Sequence, residues 1–211
     1  MKTDDLIDAL AAGLEPVRPA RLDPALLAWA GGAAAVAVVL LLGARSDLAQ
    51  ALQAPTPWLK AIYTATLAQA AIWAAMRLGR PGVDPRPALF ALLALVGAAV
   101  TWGGIETALK PPDQRMAGWL GQTWDVCGLN ILLVSAFAGP LVFLSARRLA
   151  PTRPTAAGLA LGLASGGLAA TAYGLLHCGE ATAAFVATWY TLGIAAAGLI
   201  GAAVGRFALR W

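Results

Sequence analysis

The chain has 211 residues, of which 59% are hydrophobic and 12% are charged. Soluble globular domains carry about 25% charged residues, so this composition excludes an ordinary soluble fold. The formal net charge is +4, but the basic residues lie in short clusters between apolar runs. That distribution is typical of membrane topology and does not favour a protein that binds nucleic acid directly.

Residues 1–24 precede the first apolar run and carry an amphipathic pattern. Their apolar side chains recur at helical spacing, which predicts one stripe formed by Leu6, Ile7, Leu10 and Leu14. The acidic side chains fall largely on other faces of this helix: Asp4, Asp5 and Asp8. A helix that lies on the membrane surface usually has a basic polar face. The acidic face slightly favours the other interpretation, in which the helix docks into a groove of a basic protein partner.

Six apolar runs follow, each with few or no charges. A helix of this length crosses a hydrocarbon core of about 30 Å, and lipid requires that the backbone groups pair within the segment. The sequence therefore predicts an all-α integral membrane protein, with a six-helix transmembrane bundle over residues 25–205 and a short tail at 206–211. The predicted spans are 25–42, 58–76, 88–105, 128–146, 156–176 and 182–204.

The basic residues set the predicted orientation of this bundle. Eleven of the fifteen lie before the first span, in the second-to-third and fourth-to-fifth loops, or in the tail. The others are Arg45, Lys60, Lys110 and Arg115, and Lys60 is expected to extend outward to the surface. By the positive-inside rule, both termini are predicted to be cytoplasmic. No span has an ionisable group near its centre, which argues against a proton-driven pump.

The two cysteines mark a candidate site on the outer side. Cys127 lies where the fourth span leaves the outer surface and Cys178 lies where the fifth span arrives there. An antiparallel helix hairpin would therefore bring the two thiols close together at the same depth. The other reactive side chains expected near this surface are His177, Asp125, Glu180 and Glu106.

Three interpretations of the thiol pair are open from the residues alone. The pair is either a static disulfide or two inert buried thiols, a redox switch in an oxidising compartment, or a site for a soft or borderline metal ion. Thiolate and imidazole together suit such an ion. Adjacent residues rarely chelate one ion together. If His177 is not a metal ligand, its imidazole would instead adjust the reactivity of the Cys178 thiol.

The chain offers little that resembles an enzyme. It has no Gly-rich phosphate loop, no His-Glu-x-x-His motif and no Cys-x-x-Cys pair. We therefore expect a protein without catalytic activity and without a certain cofactor. The alternative function from another class is a small metal-ion transporter or channel, with the cysteines and His177 at its outer entry.

Small residues form ridges on the last two predicted spans. Gly158, Gly162 and Gly166 lie on one face of the fifth span, and Gly201 and Gly205 lie on one face of the sixth. Such ridges let helix backbones approach closely. They would act either within one bundle or between two copies in a homodimer.

Two segments of the sequence resemble a known family. Residues 1–10 (MKTDDLIDAL), followed by residues 16–18 (PVR), are similar to the opening of the NrsF family, the negative regulators of sigma factor F. Residues 176–180 (LHCGE), then Phe185 and residues 189–194 (WYTLGI), look like the closing segment of that family. The six-span layout agrees with it as well, so the resemblance covers the whole chain.

The resemblance implies a function that the residues alone do not name. Members of the family are inner-membrane anti-sigma factors, which hold an extracytoplasmic-function sigma factor inactive and release it under heavy-metal or oxidative stress. Two periplasmic cysteines are needed for that response, and Cys127 and Cys178 match their positions. The resemblance also implies that the acidic N-terminal segment docks the sigma factor.

Overall fold

The computed structural model describes residues 3–12 and 21–209, and these residues form helices and connecting loops without strands. The helices are α1 (Thr3–Ala11), α2 (Pro24–Ala37), α3 (Leu48–Ala51), α4 (Pro55–Leu78), α5 (Arg86–Leu109), α6 (Pro112–Leu120), α7 (Trp124–Ser145), α8 (Pro154–Leu176), α9 (Ala183–Phe185) and α10 (Thr191–Ala208). Two five-residue π-helical turns extend this set. One continues α2 over Val38–Leu42, and the other joins α9 to α10 over Val186–Tyr190.

Prolines begin most of the long helices. A proline occupies one of the first two positions of α2, α4, α5, α6 and α8. The missing N–H is harmless there, because the first-turn amides have no partner within the helix. The start of α2 is fixed further by Asp23, whose Oδ1 accepts hydrogen bonds from the amides of Ala25 at 3.0 Å and Leu26 at 3.5 Å. The sequence thus encodes where most of the membrane-sized helices begin.

The long helices run alternately up and down. At one end of the bundle, the amide of Asp23 meets the carbonyl of Ser145, and the amide of Ala150 meets the carbonyl of Gly79. At the other end, Lys60 reaches the carbonyl of Cys178. We call this second end the thiol end, because Cys127 and Cys178 both lie there.

Five helical segments in the described chain are long and apolar enough to cross a membrane: Pro24–Leu42, Arg86–Leu109, Pro112–Ser145, Pro154–Leu176 and Ala183–Ala208. The remaining predicted span, 58–76, lies within α4, which is 24 residues long. Polar side chains such as Lys60, Thr64 and Gln69 lower its apolarity. One face of α4, which includes Lys60 and Thr64, is buried against neighbouring helices, so α4 is an integral part of the bundle.

The centre of the bundle is α8, which packs against α2, α4, α7 and α10. Its glycine ridge faces α10 within the same chain. A Cβ atom added at Gly158 would lie 2.3 Å from the carbonyl oxygen of Gly201, and one added at Gly162 would lie 2.4 Å from that of Ala197. The ridges therefore serve close packing inside one bundle.

Two local features differ from the predictions. The predicted third-to-fourth loop contains a separate helix, α6, and α7 begins at Trp124, four residues before the predicted start of the fourth span. Asp125 and Cys127 consequently lie on the first turn of a helix instead of in a loop. The predicted N-terminal helix is present as α1, while Leu14 lies outside the described residues.

Candidate functional site

The two cysteines meet inside the thiol end. Cys127 is fully buried on the first turn of α7, and Cys178 is 3% exposed in the loop that follows α8. Both are free thiols, and Cys127 lies close enough to Cys178 to affect the pKa of its thiol. The proximity expected from the helix hairpin is therefore present. Because both sulfurs are shielded from solvent, a reagent reaches them only when this end of the bundle opens.

Lys60 is the main contributor to the site that sequence reasoning missed. Its side chain is 4% exposed, and its Nζ donates hydrogen bonds to the backbone carbonyls of Cys178 at 2.9 Å and Glu180 at 2.7 Å. The expectation that Lys60 extends to the outer surface is wrong. Its ammonium group instead stabilises the loop that holds Cys178, because a buried cation requires hydrogen-bond partners in place of water.

Aromatic side chains enclose the thiols on the side of α8 and α10. Tyr190, the last residue of the second π-helical turn, is fully buried and lies 5.9 Å from Tyr173, ring centre to ring centre. Its hydroxyl makes no hydrogen bond within the described residues, but it is near enough to Cys178 to lower the pKa of that thiol. π-helical turns are often found at functional sites, and this one ends at a tyrosine that neighbours the thiol pair.

The surroundings of Cys178 favour its thiolate. The neighbouring thiol of Cys127 holds the pKa of Cys178 below its usual range, although burial acts in the opposite direction. The hydroxyl of Tyr190 and the positive charge of Lys60 lower this pKa further. A thiolate is the nucleophilic and metal-binding form of cysteine. Cys178 is therefore the more reactive member of the pair.

His177 contacts the loop after α2 and the ring of Tyr173. Its Nδ1 forms a hydrogen bond of 2.8 Å with the carbonyl of Gly43, in the loop after α2. Its ring stacks on Tyr173 at 5.4 Å. These contacts tie the end of α8 to the loop after α2, where the amide of Arg45 also donates to the carbonyl of Leu176 at 2.9 Å.

The acidic side chains predicted for this surface hold backbone groups of neighbouring segments. Glu180 Oε1 accepts the amide of Gln122 at 2.7 Å. Glu106 Oε2 accepts the amide of Ala183 at the start of α9, at 2.6 Å, while its Oε1 pairs with Lys110 at 2.8 Å. Asp125 is exposed. Glu106 therefore holds the end of the Cys178 loop at Ala183, and Glu180 attaches the loop itself to the segment before α7.

The loop over residues 177–182 is consequently a junction for the whole thiol end. It is held by Lys60 of α4, by Glu180 against the segment before α7, and by Thr182, whose hydroxyl donates to the carbonyl of Gly118 in α6 at 2.6 Å. Within residues 3–12 and 21–209, no group of three or more His, Cys, Asp or Glu side chains converges as a metal site. The site offers two sulfurs, one on the first turn of α7 and one in the loop after α8, and these two helices pack directly against each other.

The acidic N-terminal helix is the second candidate site. All described residues of α1 are exposed, including Leu6 at 42%, Ile7 at 56% and Leu10 at 66%. Asp4 and Asp5 lie in its first turn, where negative charge suits the positive end of the helix dipole. An apolar stripe left in water indicates a surface that another molecule covers.

The fold and the two sites define a polytopic helical membrane protein with a buried thiol pair at one end and an exposed amphipathic helix at its N-terminus. Residues 10–211 match the NrsF family, described as "Negative regulator of sigma F". The chain therefore belongs to the NrsF family.

Relatives align with the chain over its full length. It is 48% identical to "Anti-sigma-F factor NrsF" of Caulobacter vibrioides (strain NA1000 / CB15N), over 100% of both chains. It is 37% identical to "Probable anti-sigma-F factor NrsF" of Azospira oryzae (strain ATCC BAA-33 / DSM 13638 / PS), again over 100% of both chains. No solved structure matches the chain.

Proposed function

We propose that this protein is an inner-membrane anti-sigma factor with six spans and both termini in the cytoplasm. It holds an extracytoplasmic-function sigma factor inactive and releases it when Cys127 and Cys178 react with an oxidant or a thiophilic metal ion. The observation that carries the proposal is the convergence of these two sulfurs, 51 positions apart in sequence, in a buried junction that contacts several other helices.

The docking part of the proposal rests on α1. Its exposed apolar side chains bury against the sigma factor, while Asp4, Asp5 and Asp8 meet basic residues of the partner. Leu14 would extend the same stripe. Charge attraction of this kind speeds association and selects the partner.

The sensing part rests on the thiols. A disulfide between Cys127 and Cys178, or a two-sulfur bond to a soft metal ion, ties the first turn of α7 to the end of α8. His177 and the acidic residues Asp125, Glu106 and Glu180 shape the surroundings of this bond. The change favours a bundle arrangement with weaker affinity for the sigma factor, because a ligand shifts an equilibrium only through its different affinities for the two states.

The free energies constrain this mechanism. A shift in sigma-factor occupancy from 99:1 to 1:99 requires about 5.5 kcal/mol, whereas a disulfide supplies about 2–4 kcal/mol. The resting equilibrium is therefore close to balance, so that a modest local change completes the release.

The decisive experiment is a pull-down from membranes with the intact protein as bait, before and after treatment with cadmium or chromate. We expect a soluble sigma factor that is recovered before treatment and lost afterwards. The variant Cys127→Ser/Cys178→Ser should retain the partner under both conditions. Release from this variant would place the sensor elsewhere. Absence of a soluble partner, together with ion flux in reconstituted vesicles, would instead identify a transporter.

A second pair of variants tests the docking helix. Leu6→Asp/Leu10→Asp introduces charge into the apolar stripe and should abolish capture of the sigma factor. The matched control is Ala9→Asp, which adds a carboxylate to an exposed position of α1 away from that stripe and should leave capture unchanged. Equal capture by all three proteins would remove α1 from the interface.

A further inference from the structure

A cavity of about 470 Å³ lies at the end of the bundle opposite the thiols. Its polar lining includes four arginines from different segments: Arg77 at the end of α4, Arg80 in the following loop, Arg86 at the start of α5 and Arg153 before α8. We call this cavity the arginine pocket. Its volume falls within the range of about 300–1,000 Å³ that is usual for small-molecule sites.

The charge of the arginine pocket is unbalanced. Guanidinium groups stay protonated at all physiological pH values, and Asp84 is the acidic residue among the described lining residues. The carboxylate of Asp84 accepts the amide of Arg86 at 3.0 Å, and its carbonyl accepts from Nε of Arg77. Arg86 and Arg153 are exposed at the pocket. Such cations favour an anionic ligand, because arginine pairs with phosphate oxygens in a two-pronged geometry.

The apolar part of the lining indicates that the anion belongs to an amphiphile. Leu78, Val83 and Leu89 complete the pocket. Leu89 is 42% exposed and lies one helical turn before Leu93, which is 67% exposed. This face continues along α5, a membrane-sized helix. Only 11% of the residues in its most apolar stretch are buried. A lipid whose headgroup occupied the pocket would therefore place its acyl chains along α5, against an apolar face that the rest of the described chain leaves uncovered.

The position of the pocket agrees with a lipid–water boundary. Arg77 lies over the ring of Trp73, with 5.6 Å between the guanidinium carbon and the ring centre. Tryptophan is enriched at the level of lipid headgroups. No described residue of the acidic helix α1 is among the residues that line the pocket.

We propose that the arginine pocket is a binding site for an anionic glycerophospholipid. Arg86 and Arg153 contact the phosphate, and the acyl chains follow Leu89 and Leu93 along α5. Basic pockets between transmembrane helices bind lipid headgroups in this way. This proposal is independent of the anti-sigma function.

Lipid binding is tested on the full-length protein in dodecylmaltoside micelles, by melting temperature and by native mass spectrometry of lipid adducts. The probes are dioleoyl phosphatidylglycerol, dioleoyl phosphatidylcholine and inorganic phosphate. We expect phosphatidylglycerol to raise the melting temperature and to remain bound, whereas phosphatidylcholine does neither. If inorganic phosphate alone gives the same stabilisation, the site binds a free anion and the lipid assignment is wrong.

Two matched variants separate the pocket from general surface charge. Arg86→Gln/Arg153→Gln removes two exposed lining cations, and the affinity should fall about fivefold per arginine, or about 25-fold in all. Arg147→Gln/Arg148→Gln removes two exposed arginines from the same end of the bundle, outside the pocket lining, and should bind phosphatidylglycerol as the parent does. An equal loss in both variants would overturn the proposal.

Two further variants cover the remaining outcomes. Arg86→Lys/Arg153→Lys keeps the charge and should bind with intermediate affinity, which tests the site even if the glutamine variant does not fold. Asp4→Asn/Asp5→Asn/Asp8→Asn neutralises α1 in the full chain and should leave lipid binding unchanged. If phosphatidylglycerol binds only to this last variant, the pocket receives the chain's own acidic helix and the lipid proposal fails.

Discussion

The backbone N–H of Asp23 donates to the carbonyl of Ser145 at 3.3 Å. Ser145 is the last residue of α7, whose first turn carries Cys127. The eighteen positions between them correspond to about 27 Å along a helix. Asp23 in turn caps α2 and ends the N-terminal segment that carries α1. A single helix therefore links the thiol pair to the point where the docking segment joins the bundle.

Leu22→Ala tests this link. Leu22 is 5% exposed beside the Asp23–Ser145 contact, and truncating a buried leucine costs about 2–5 kcal/mol of packing free energy. We expect α1 to capture the sigma factor normally, while the difference in affinity between reduced and oxidised protein becomes smaller. The measurement is the partner's dissociation constant in both redox states. Arg21→Ala, at an exposed neighbouring position, is the control, and undiminished coupling in Leu22→Ala would exclude this route.

Lys60→Met should change both the stability and the chemistry of the thiol end. It leaves the carbonyls of Cys178 and Glu180 without their donor, at about 1–3 kcal/mol for each buried acceptor. The positive charge of Lys60 lowers the pKa of Cys178, so its removal raises that pKa. The thiolate fraction at neutral pH then falls, and alkylation of Cys178 should require a higher pH than in the parent protein.

The pH profile of iodoacetamide labelling, read by mass spectrometry of the Cys178 peptide, measures this shift. The matched control is Lys110→Met, which removes another lysine from the thiol end but one that pairs with Glu106. Its labelling profile should match that of the parent. If Lys60→Met also labels with the parent's profile, Lys60 has only a structural role.

The sequence predicted the parts of this structure that depend on long-range patterns. Apolar runs of about twenty residues have few alternatives to membrane-sized helices, and five of the six predicted spans coincide with such segments. The proximity of Cys127 and Cys178 followed from a hairpin of two such helices. These features need no knowledge of side-chain packing.

The parts that depend on single contacts were not predictable. Lys60 donates hydrogen bonds to two backbone carbonyls. Because every residue has such a carbonyl, the residue types do not identify these two as its partners. Helix α6 is only nine residues long and mostly exposed, so its periodicity is too short to identify. The π-helical turn before Tyr190 arises from local packing, and its sequence, VATWY, is equally compatible with an α-helix.

Gly158→Ala should destabilise the bundle. The new Cβ would lie 2.3 Å from the carbonyl oxygen of Gly201 and 2.7 Å from the Cα of Gly205, so α8 and α10 must separate. Overpacking of this kind costs about 1–3 kcal/mol, although alanine gains about 0.5–1 kcal/mol in helix propensity over glycine. We expect a lower melting temperature in detergent.

Gly97→Ala in α5 is the control for this substitution. A Cβ atom at Gly97 meets nothing within 4 Å, so only the gain in helix propensity applies. Its melting temperature should equal or slightly exceed that of the parent. A decrease of the same size in both variants would show that the α8–α10 approach is not the cause.

His177→Gln distinguishes a structural histidine from a metal ligand. The amide nitrogen of glutamine retains a donor for the Gly43 carbonyl, but the stacking on Tyr173 is lost. If His177 only fixes the loop after α2, the variant should bind cadmium through its two sulfurs with the affinity of the parent and should melt at a lower temperature. Sulfur-to-cadmium charge-transfer absorption in the ultraviolet measures the binding. Removing a residue that supports the ligands of a metal usually lowers the metal affinity tenfold or more. A loss of cadmium affinity of that size would show that the imidazole lies beside the metal.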